Sequence, residues 1–371
     1  MKFTLSQSDL VAAIDRVVAV VPPKSTLPVL ANILVTASGK EISFRASDLD
    51  ISVVNRVTGK VEQEGQVTIP ARRFHEIARE LPGDEVKVAI SAEQIEIFCG
   101  PSTFKVMGMK GEEFPSPPSL EKPITFSVQS QNLQRLIRKT AYAVSTDETR
   151  GALNGVFWEV DGQQTAMVAT DGHRLARLAV EGKYGVKETL SAIVPPKALG
   201  QVGKILGDFD GEVKVSLGKN YIAFELGTAQ VFARLLEGPF PKYEQVIPKD
   251  NDKTMSVTRA DLISAIRRVS ILSDALTRQV RLHLRSGMVG LAARTADVGE
   301  ANEELEVDYK ADELTIGFNA VYLLDALRHM DSDSVSLSLK SPVGAGLLEE
   351  AEGAKEGEEY LCLVMPLRLA E

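Results

Sequence analysis

Cysteine and histidine are scarce in this 371-residue chain: two of the first and four of the second. Cys99 and Cys362 stand far apart and in no CxxC pattern. They offer neither a disulfide framework nor a zinc site, and they suit a reducing cytosol. His75, His173, His283 and His329 fall at no metal-ligand spacing. No metal and no cofactor is expected. Long apolar runs are missing too. VVAVV at 17–21 falls well short of the roughly 18 residues a membrane span needs, and Asp9, Asp15 and Arg16 interrupt any signal-peptide core. The expectation is a cytoplasmic protein with no membrane partner. Positive charge is in the minority, 42 Lys and Arg against 51 Asp and Glu, net −9. Taken alone, that argues against a basic nucleic-acid-binding domain.

Catalytic signatures are absent as well. MVATDGHRLARLAV at 167–180 brings Asp171, His173 and Arg174 close together, but no GxSxG elbow or reactive-cysteine context supplies a nucleophile. GQVGKIL at 200–206 ends like a phosphate loop, yet it lacks the first glycine and has Ile205 where a metal-binding hydroxyl is needed. PVGAGLL at 342–348 has two glycines without the third of a dinucleotide loop. No catalytic residue is assigned. The residues of 167–180 leave a reversing turn at Asp171-Gly172 open as the plain alternative.

What is present is repetition. KFTLSQSDLVAAIDRV from Lys2, TFSVQSQNLQRLIRKT from Thr125 and TMSVTRADLISAIRRV from Thr254 share one pattern, at spacings of 123 and 129 residues. Each begins as an alternating strand and continues as a helix with apolar residues four apart: Leu10 and Ile14, Leu133 and Ile137, Leu262 and Ile266. Ser8, Ser130 and Thr258 are the cap candidates. A second helix recurs in IPARRFHEIAREL, VPPKALGQVGKIL and IGFNAVYLLDALRHM. Between helices the text alternates like strands, as in EVKVAI, QIEIFCG, STFKVMG, EVKVSLG, YIAFEL and DSVSLSLK. This is an α+β class, three modules at 1–122, 123–252 and 253–371, each two helices packed on antiparallel sheets. EEFPSPPSLEKP and FPKYEQVIPKDNDK read as linkers, and EEAEGAKEGEE at 349–359 as an acidic loop. Like modules in series leave unmatched terminal faces.

Charge is sorted between elements. The six helix spans (9–21, 71–81, 131–144, 196–206, 258–271 and 319–330) sum to +7, which leaves −16 for the rest. Solvated charged faces would explain this, and so would one basic surface turned toward a polyanion. Contacts of the second kind touch phosphates without reading sequence. The candidates are Lys24, Arg72, Arg138, Lys139, Lys197, Arg267 and Arg268.

The chain resembles the bacterial β sliding clamps, the processivity subunit of DNA polymerase III. The resemblance runs in order through MKFTL, TLPVLANILV at 26–35, SDLDISV at 47–53, VTIPARRFHEI at 67–77, VATDGHRLA at 168–176, VRLHL at 280–284 and VMPLRL at 364–369. It implies a three-domain crescent that dimerises head to tail into a closed six-module ring. Duplex DNA would pass through the ring, and nothing would be catalysed. It implies a hydrophobic pocket for short linear peptides of polymerases, the clamp loader and repair proteins. That pocket would be lined by Leu153, Thr170, Gly172, His173, Arg174, Leu175, Pro241, Val246, Val343, Leu363, Met365, Pro366 and Leu367, with His173 and Arg174 as donors to peptide carbonyls. It also implies a dimer contact of Ile271 and Leu272 on the partner's strand near Phe104 and Val106, with Arg72, Arg73 or Lys105 facing Glu300, Glu303 and Glu304. An enzyme built on Asp171 and His173, or a triplicated scaffold that binds only proteins, are the competing readings.

Overall fold

The computed structural model describes residues 1–295, 298–351 and 355–369. Among them are six α-helices: α1 Gln7–Val18, α2 Ala71–Glu80, α3 Ser130–Thr140, α4 Pro196–Leu206, α5 Arg259–Val269 and α6 Ala320–Arg328. All six fall where the 3.6-residue periodicity puts them. The spans 131–144 and 258–271 are overlong, because each helix tightens into a 3-10 turn, Ala141–Ala143 and Ser270–Leu272. The cap of α1 is corrected. Ser6, not Ser8, accepts the N–H of Asp9 at 3.0 Å, two residues earlier than the pattern suggests. The phosphate-loop look-alike is the body of α4 and forms no loop.

The chain divides into two compact units, one of Met1–Gln134 with Lys197–Leu235, the other of Arg135–Pro196 with residues 236 onward. The first holds a five-stranded and a nine-stranded antiparallel sheet. The five-stranded sheet runs Lys60–Gln63, Lys2–Ser6, Glu85–Ser91, Gln94–Cys99, Ser102–Met107. Ser102–Met107 is thus an edge strand. In the nine-stranded sheet Gly65–Pro70, Asn32–Ser38, Glu41–Ser47 and Ile51–Thr58 meet Ala229–Arg234, Tyr221–Leu226, Glu212–Leu217 and Ile124–Gln129, with the short Met109–Lys110 outermost. The join is Ile51–Thr58 on Ala229–Arg234, in the register Val53 opposite Val231.

The second unit repeats the scheme. Its eight-stranded sheet runs Leu190–Val194, Val156–Val160, Gln164–Thr170, Arg174–Glu181, then Glu358–Val364, Gly346–Glu350, Ser334–Leu339, Lys253–Thr258. Its join is Arg174–Glu181 on Glu358–Val364, with Leu175 opposite Leu363. The remaining four strands run Leu314–Asn319, Gln279–Arg285, Met288–Thr295, Gly299–Glu306, and the last of these is again an edge.

Helices cover the sheets as the spacing requires. α1 buries Leu10, Ala13, Ile14 and Val17 against Glu41–Ser47 and Ile51–Thr58. α5 buries Leu262, Ala265, Ile266 and Val269 against α6 and the strands Met288–Thr295 and Gly299–Glu306. Each such aliphatic side chain stabilises by about 1.5–3 kcal/mol through removal from water. The acidic run at 349–359 is not one loop, which is a further correction. Glu350 ends one strand and Glu358 begins the next, while 352–354 lie outside the described residues.

Candidate functional site

Thr170, Asp171 and Gly172 form a turn. The Asp171 carboxylate accepts the backbone N–H of His173 at 2.9 Å and of Arg174 at 3.0 Å. The Thr170 hydroxyl donates to the Arg174 carbonyl at 2.6 Å and accepts the Gly172 N–H at 3.1 Å. Gly172 sits at φ +88°, where most residues are strained. Asp171 is therefore occupied by the backbone and by the Arg174 guanidinium, and among the described residues no acid orients the His173 imidazole.

The turn opens the strand Arg174–Glu181, and the C-terminal strand lies beside it. Leu175 faces Leu363, and the Met365 N–H donates to the His173 carbonyl at 2.8 Å. TDGHRL and VMPLRL, whose first residues are 194 positions apart, therefore share one surface. Beneath them Val168, Leu175, Tyr243, Leu361 and Leu363 are buried together, with Phe157, Phe240, Ile247 and Leu347 packed on them. The Phe157 and Phe240 rings stack at 4.8 Å. The expected residues sort into layers. Leu175 and Leu363 are floor; Leu153, Pro366 and Leu367 are half-buried; His173, Pro241, Val246, Val343 and Met365 are exposed. Such an apolar surface with an exposed methionine suits varied apolar ligands.

Arg174 requires a correction. Its guanidinium donates to Asp171 at 3.1 Å, Asp325 at 2.7 Å and the Tyr142 carbonyl at 2.9 Å, and lies over the Tyr322 ring. It braces the turn and has little left for a peptide carbonyl. The residues that sequence reasoning missed are Phe157, Val168, Phe240, Tyr243, Ile247, Leu347 and Leu361. The two-residue strand period relates Val168 to Thr170 and Leu361 to Leu363, and would have found those two. Nothing local marks Tyr243, which reaches the cluster from the linker.

The basic helix residues are partly spent inside the protein. Lys139 is fully buried, bonded to Glu350 at 2.8 Å and to Asp331 at 3.2 Å, with its ammonium 4.3 Å from the Tyr360 ring centre. It reaches no phosphate, so its expected DNA role is withdrawn. The periodic pattern marks charge and cannot show a partner 211 residues away. Arg135 clamps Glu358 at 2.6 Å and Asp331 at 3.0 Å. Burial pushes the Asp331 carboxyl up, but hydrogen bonds and charge from Arg138 and Lys139 win and hold it below its ordinary value. Arg138 pairs with Asp331, Lys197 with Asp48 and Arg268 with Glu303, all with the cation largely exposed. Lys24, Arg72 and Arg267 make no ion pair among the described residues and are exposed.

Ile271 is 77% exposed, and Leu272 is half-buried beside it. Phe104 and Val106 are half-buried on their edge strand, and Lys105 pairs with Glu96. Glu303 and Glu304 pair within the chain with Arg268 and Arg285, and Arg73 with Glu76. Those charges have partners already. Among the described residues no group of His, Cys, Asp and Glu could hold a metal ion, and no helix is long and apolar enough to cross a membrane.

A thrice-repeated α+β scaffold, joined strand to strand and carrying an apolar cleft at one join, defines a class of modular binding scaffold. The comparisons narrow the class. The N-terminal, central and C-terminal domains of the DNA polymerase III beta subunit match residues 1–118, 127–242 and 244–368 in turn. The beta sliding clamps of Pseudomonas aeruginosa and Caulobacter vibrioides are each 33% identical over 100% of both chains. The solved DnaN sliding clamp of Pseudomonas aeruginosa, bound to griselimycin, has a TM-score of 0.95 at 33% identity. That of Bacillus subtilis has 0.92 at 28%, and both cover 100% of the two chains. The chain belongs to the DNA polymerase III beta subunit family, the sliding clamps. Its function is that of a processivity clamp in DNA replication, and it is not an enzyme.

Proposed function

We propose that two copies of this chain close head to tail into a ring around duplex DNA, with module boundaries at 122/123 and 252/253. One observation carries the ring. Ile51–Thr58 and Arg174–Glu181 are repeat counterparts, and each is paired with a strand of the following module. Their third counterpart, Gly299–Glu306, is an edge with no strand on its outer side among the described residues. Ala229–Arg234 and Glu358–Val364 likewise have a third counterpart, Ser102–Met107, which is also an edge. Unpaired edges invite strand addition, and one donor with one acceptor per chain closes under two-fold symmetry. Ile271 and Leu272 would seat against Phe104 and Val106. Glu300 and Arg72 would meet opposite charges directly, and Glu303, Glu304, Arg73 and Lys105 by exchanging their internal partners.

DNA is held by enclosure, with weak phosphate contacts from Lys24, Arg72, Arg138, Lys197, Arg267 and Arg268. The cleft at Leu175 and Leu363 takes short apolar peptides of the replicative polymerase, the clamp loader, other polymerases and repair proteins. His173, Val246, Val343, Met365, Pro366 and Leu367 form its rim, and the work is done in the cytoplasm. Light scattering tests the ring: the expected mass is twice the 40.2 kDa of one chain. Ile271→Ala with Leu272→Ala removes aliphatic contacts worth roughly 2–5 kcal/mol each if fully buried. That variant should give folded monomers. A variant still dimeric below micromolar concentration overturns the interface.

A further inference from the structure

The turn at Thr170 has a twin. Ser47, Asp48, Leu49 and Ile51 stand 123 residues before Thr170, Asp171, Gly172 and Arg174. The Ser47 hydroxyl donates to the Ile51 carbonyl at 3.0 Å, the Leu49 N–H donates to Ser47 at 3.1 Å, and the Ile51 N–H donates to Asp48 at 2.7 Å. Leu49 takes φ +84°, matching Gly172. The backbone that frames the apolar cleft is therefore built a second time, at the join of Ile51–Thr58 and Ala229–Arg234.

The side chains are different. Arg45 stands where the cleft has Val168, Gln230 where it has Leu361, Leu34 where it has Phe157, and Phe232 where it has Leu363. Together with Arg56, Thr36, Ser43, Val54 and Pro117 they line a cavity of about 270 Å³. Arg45 lies over the Phe114 ring at 5.5 Å, and its Nε is buried with no hydrogen-bond partner among the described residues. Burial pulls that guanidinium below its ordinary value. Arg56 donates to Gln230 at 3.0 Å, and its Nε is 3.4 Å from Glu41, the one carboxylate paired there among the described residues. The site thus holds two cations against one exposed anion. A buried unpaired donor is costly, and a ligand acceptor would recover that cost.

We propose that this cavity binds the side-chain carboxylate of an acidic peptide lying along the join. A guanidinium presents the forked donors that a carboxylate accepts. The apolar walls Leu34, Val54, Phe232 and Pro117 suit the aliphatic stem of a glutamate better than a fully hydrated phosphate. The assignment stands on the charge and shape of this cavity. The twin turn only locates it, so it does not depend on what the apolar cleft binds.

The test is fluorescence anisotropy on the full-length chain, with a labelled seven-residue peptide of alternating glutamate and alanine. Three results support the site: saturable binding that weakens at least tenfold when glutamine replaces glutamate, a similar loss in Arg45→Met, and a similar loss in Arg56→Met. Arg45→Met keeps the stem on Phe114, and an unchanged melting curve shows that it folds. A chain lacking residues 365–371 should bind this peptide at full strength, which separates the cavity from the cleft. The proposal is overturned if the peptide does not bind the native chain below about 1 mM, a free energy near −4 kcal/mol. It is also overturned if the glutamine peptide or Arg45→Met binds equally well, or if inorganic phosphate displaces the peptide at lower concentration than acetate does.

Discussion

The two joins share a backbone and differ in nearly every side chain that matters. At both, a strand of one module pairs with a strand of the next, and a Thr- or Ser-capped Asp turn with one positive φ opens the first strand. The position 123 residues apart on α1 and α3 shows the contrast. Arg16 hydrogen-bonds two neutral groups, Asn55 at 3.1 Å and Thr228 at 3.2 Å. Lys139 is buried between Glu350 and Asp331. At the third copy Arg268 pairs with Glu303 on the unpaired edge strand. A fold repeated three times fixes where the chain goes. It leaves each join free to choose neutral, ionic or open chemistry.

The strongest way to break the comparison is to remove both cations separately. Lys139→Met strands the buried Glu350 carboxylate, which costs roughly 3–5 kcal/mol when one partner of a buried pair is lost. Arg16→Met loses only hydrogen bonds to neutral partners, roughly 1 kcal/mol. Urea denaturation of both variants reads the difference. Equal losses would mean that the ionic join is no more committed than the neutral one.

Next is the cleft itself. Deleting residues 365–371 removes Met365, Pro366 and Leu367 and leaves the floor residues Leu175 and Leu363 in their strands. Losing a few apolar contacts at about 1–2 kcal/mol each should weaken an apolar polymerase-derived peptide a hundredfold or more, from a dissociation constant near roughly 1 μM. His173→Ala should weaken it less, because it takes an exposed edge and not the floor. If the truncated chain keeps its mass and still binds at full strength, the cleft is misassigned.

How much of this was legible in the sequence follows from which forces are local. Helix positions and strand alternation follow from 3.6- and 2-residue periods, so α1 to α6 and strands such as Glu85–Ser91 and Tyr221–Leu226 were readable. So was the repeat. The fates of charges were not. Nothing near Lys139 announces Glu350, and nothing near Arg174 announces Asp325, because the residues meet only through the sheet join. The acidic run at 349–359 reads as solvated charge, yet Glu350 and Glu358 are buried partners of α3. Ser6 does not read as a cap because the strand pattern claims it.

Alkaline pH should sharpen the contrast at one pair of positions. Cys362, opposite Ala176, holds the place that Val231, opposite Val53, has at the other join. Burial pushes the Cys362 thiol up to about 11, although hydrogen bonds from Tyr142 and Tyr360 pull the other way. Its folded value lies above the unfolded one, so its stabilisation is complete below the ordinary thiol range and is lost as pH climbs toward 11. About two pH units correspond to roughly 2–3 kcal/mol. Cys362→Val should therefore lose less stability than the native chain between pH 8 and about 10.5. Identical pH slopes would show that Cys362 carries none of the alkaline effect and that it rests on other groups pushed up by burial, Tyr142 and Tyr360 among them.

The smallest expected effect lies in the twin turns. Leu49 holds φ +84° and is 56% exposed, whereas the second copy places Gly172 at φ +88°. A branched aliphatic residue in the left-handed region is strained by about 1 kcal/mol, and an exposed leucine has little packing to offset it. Asparagine tolerates that backbone and keeps more of the chain's stiffness than glycine. Leu49→Asn should raise the denaturation midpoint by an amount equivalent to roughly 0.5–1 kcal/mol, and Leu49→Gly by less, because glycine also loosens the unfolded chain. A fall in midpoint with Leu49→Asn would mean that the leucine side chain packs on something that outweighs its strain. The first turn would then be selected for that contact, and the likeness of the two turns would be of backbone alone.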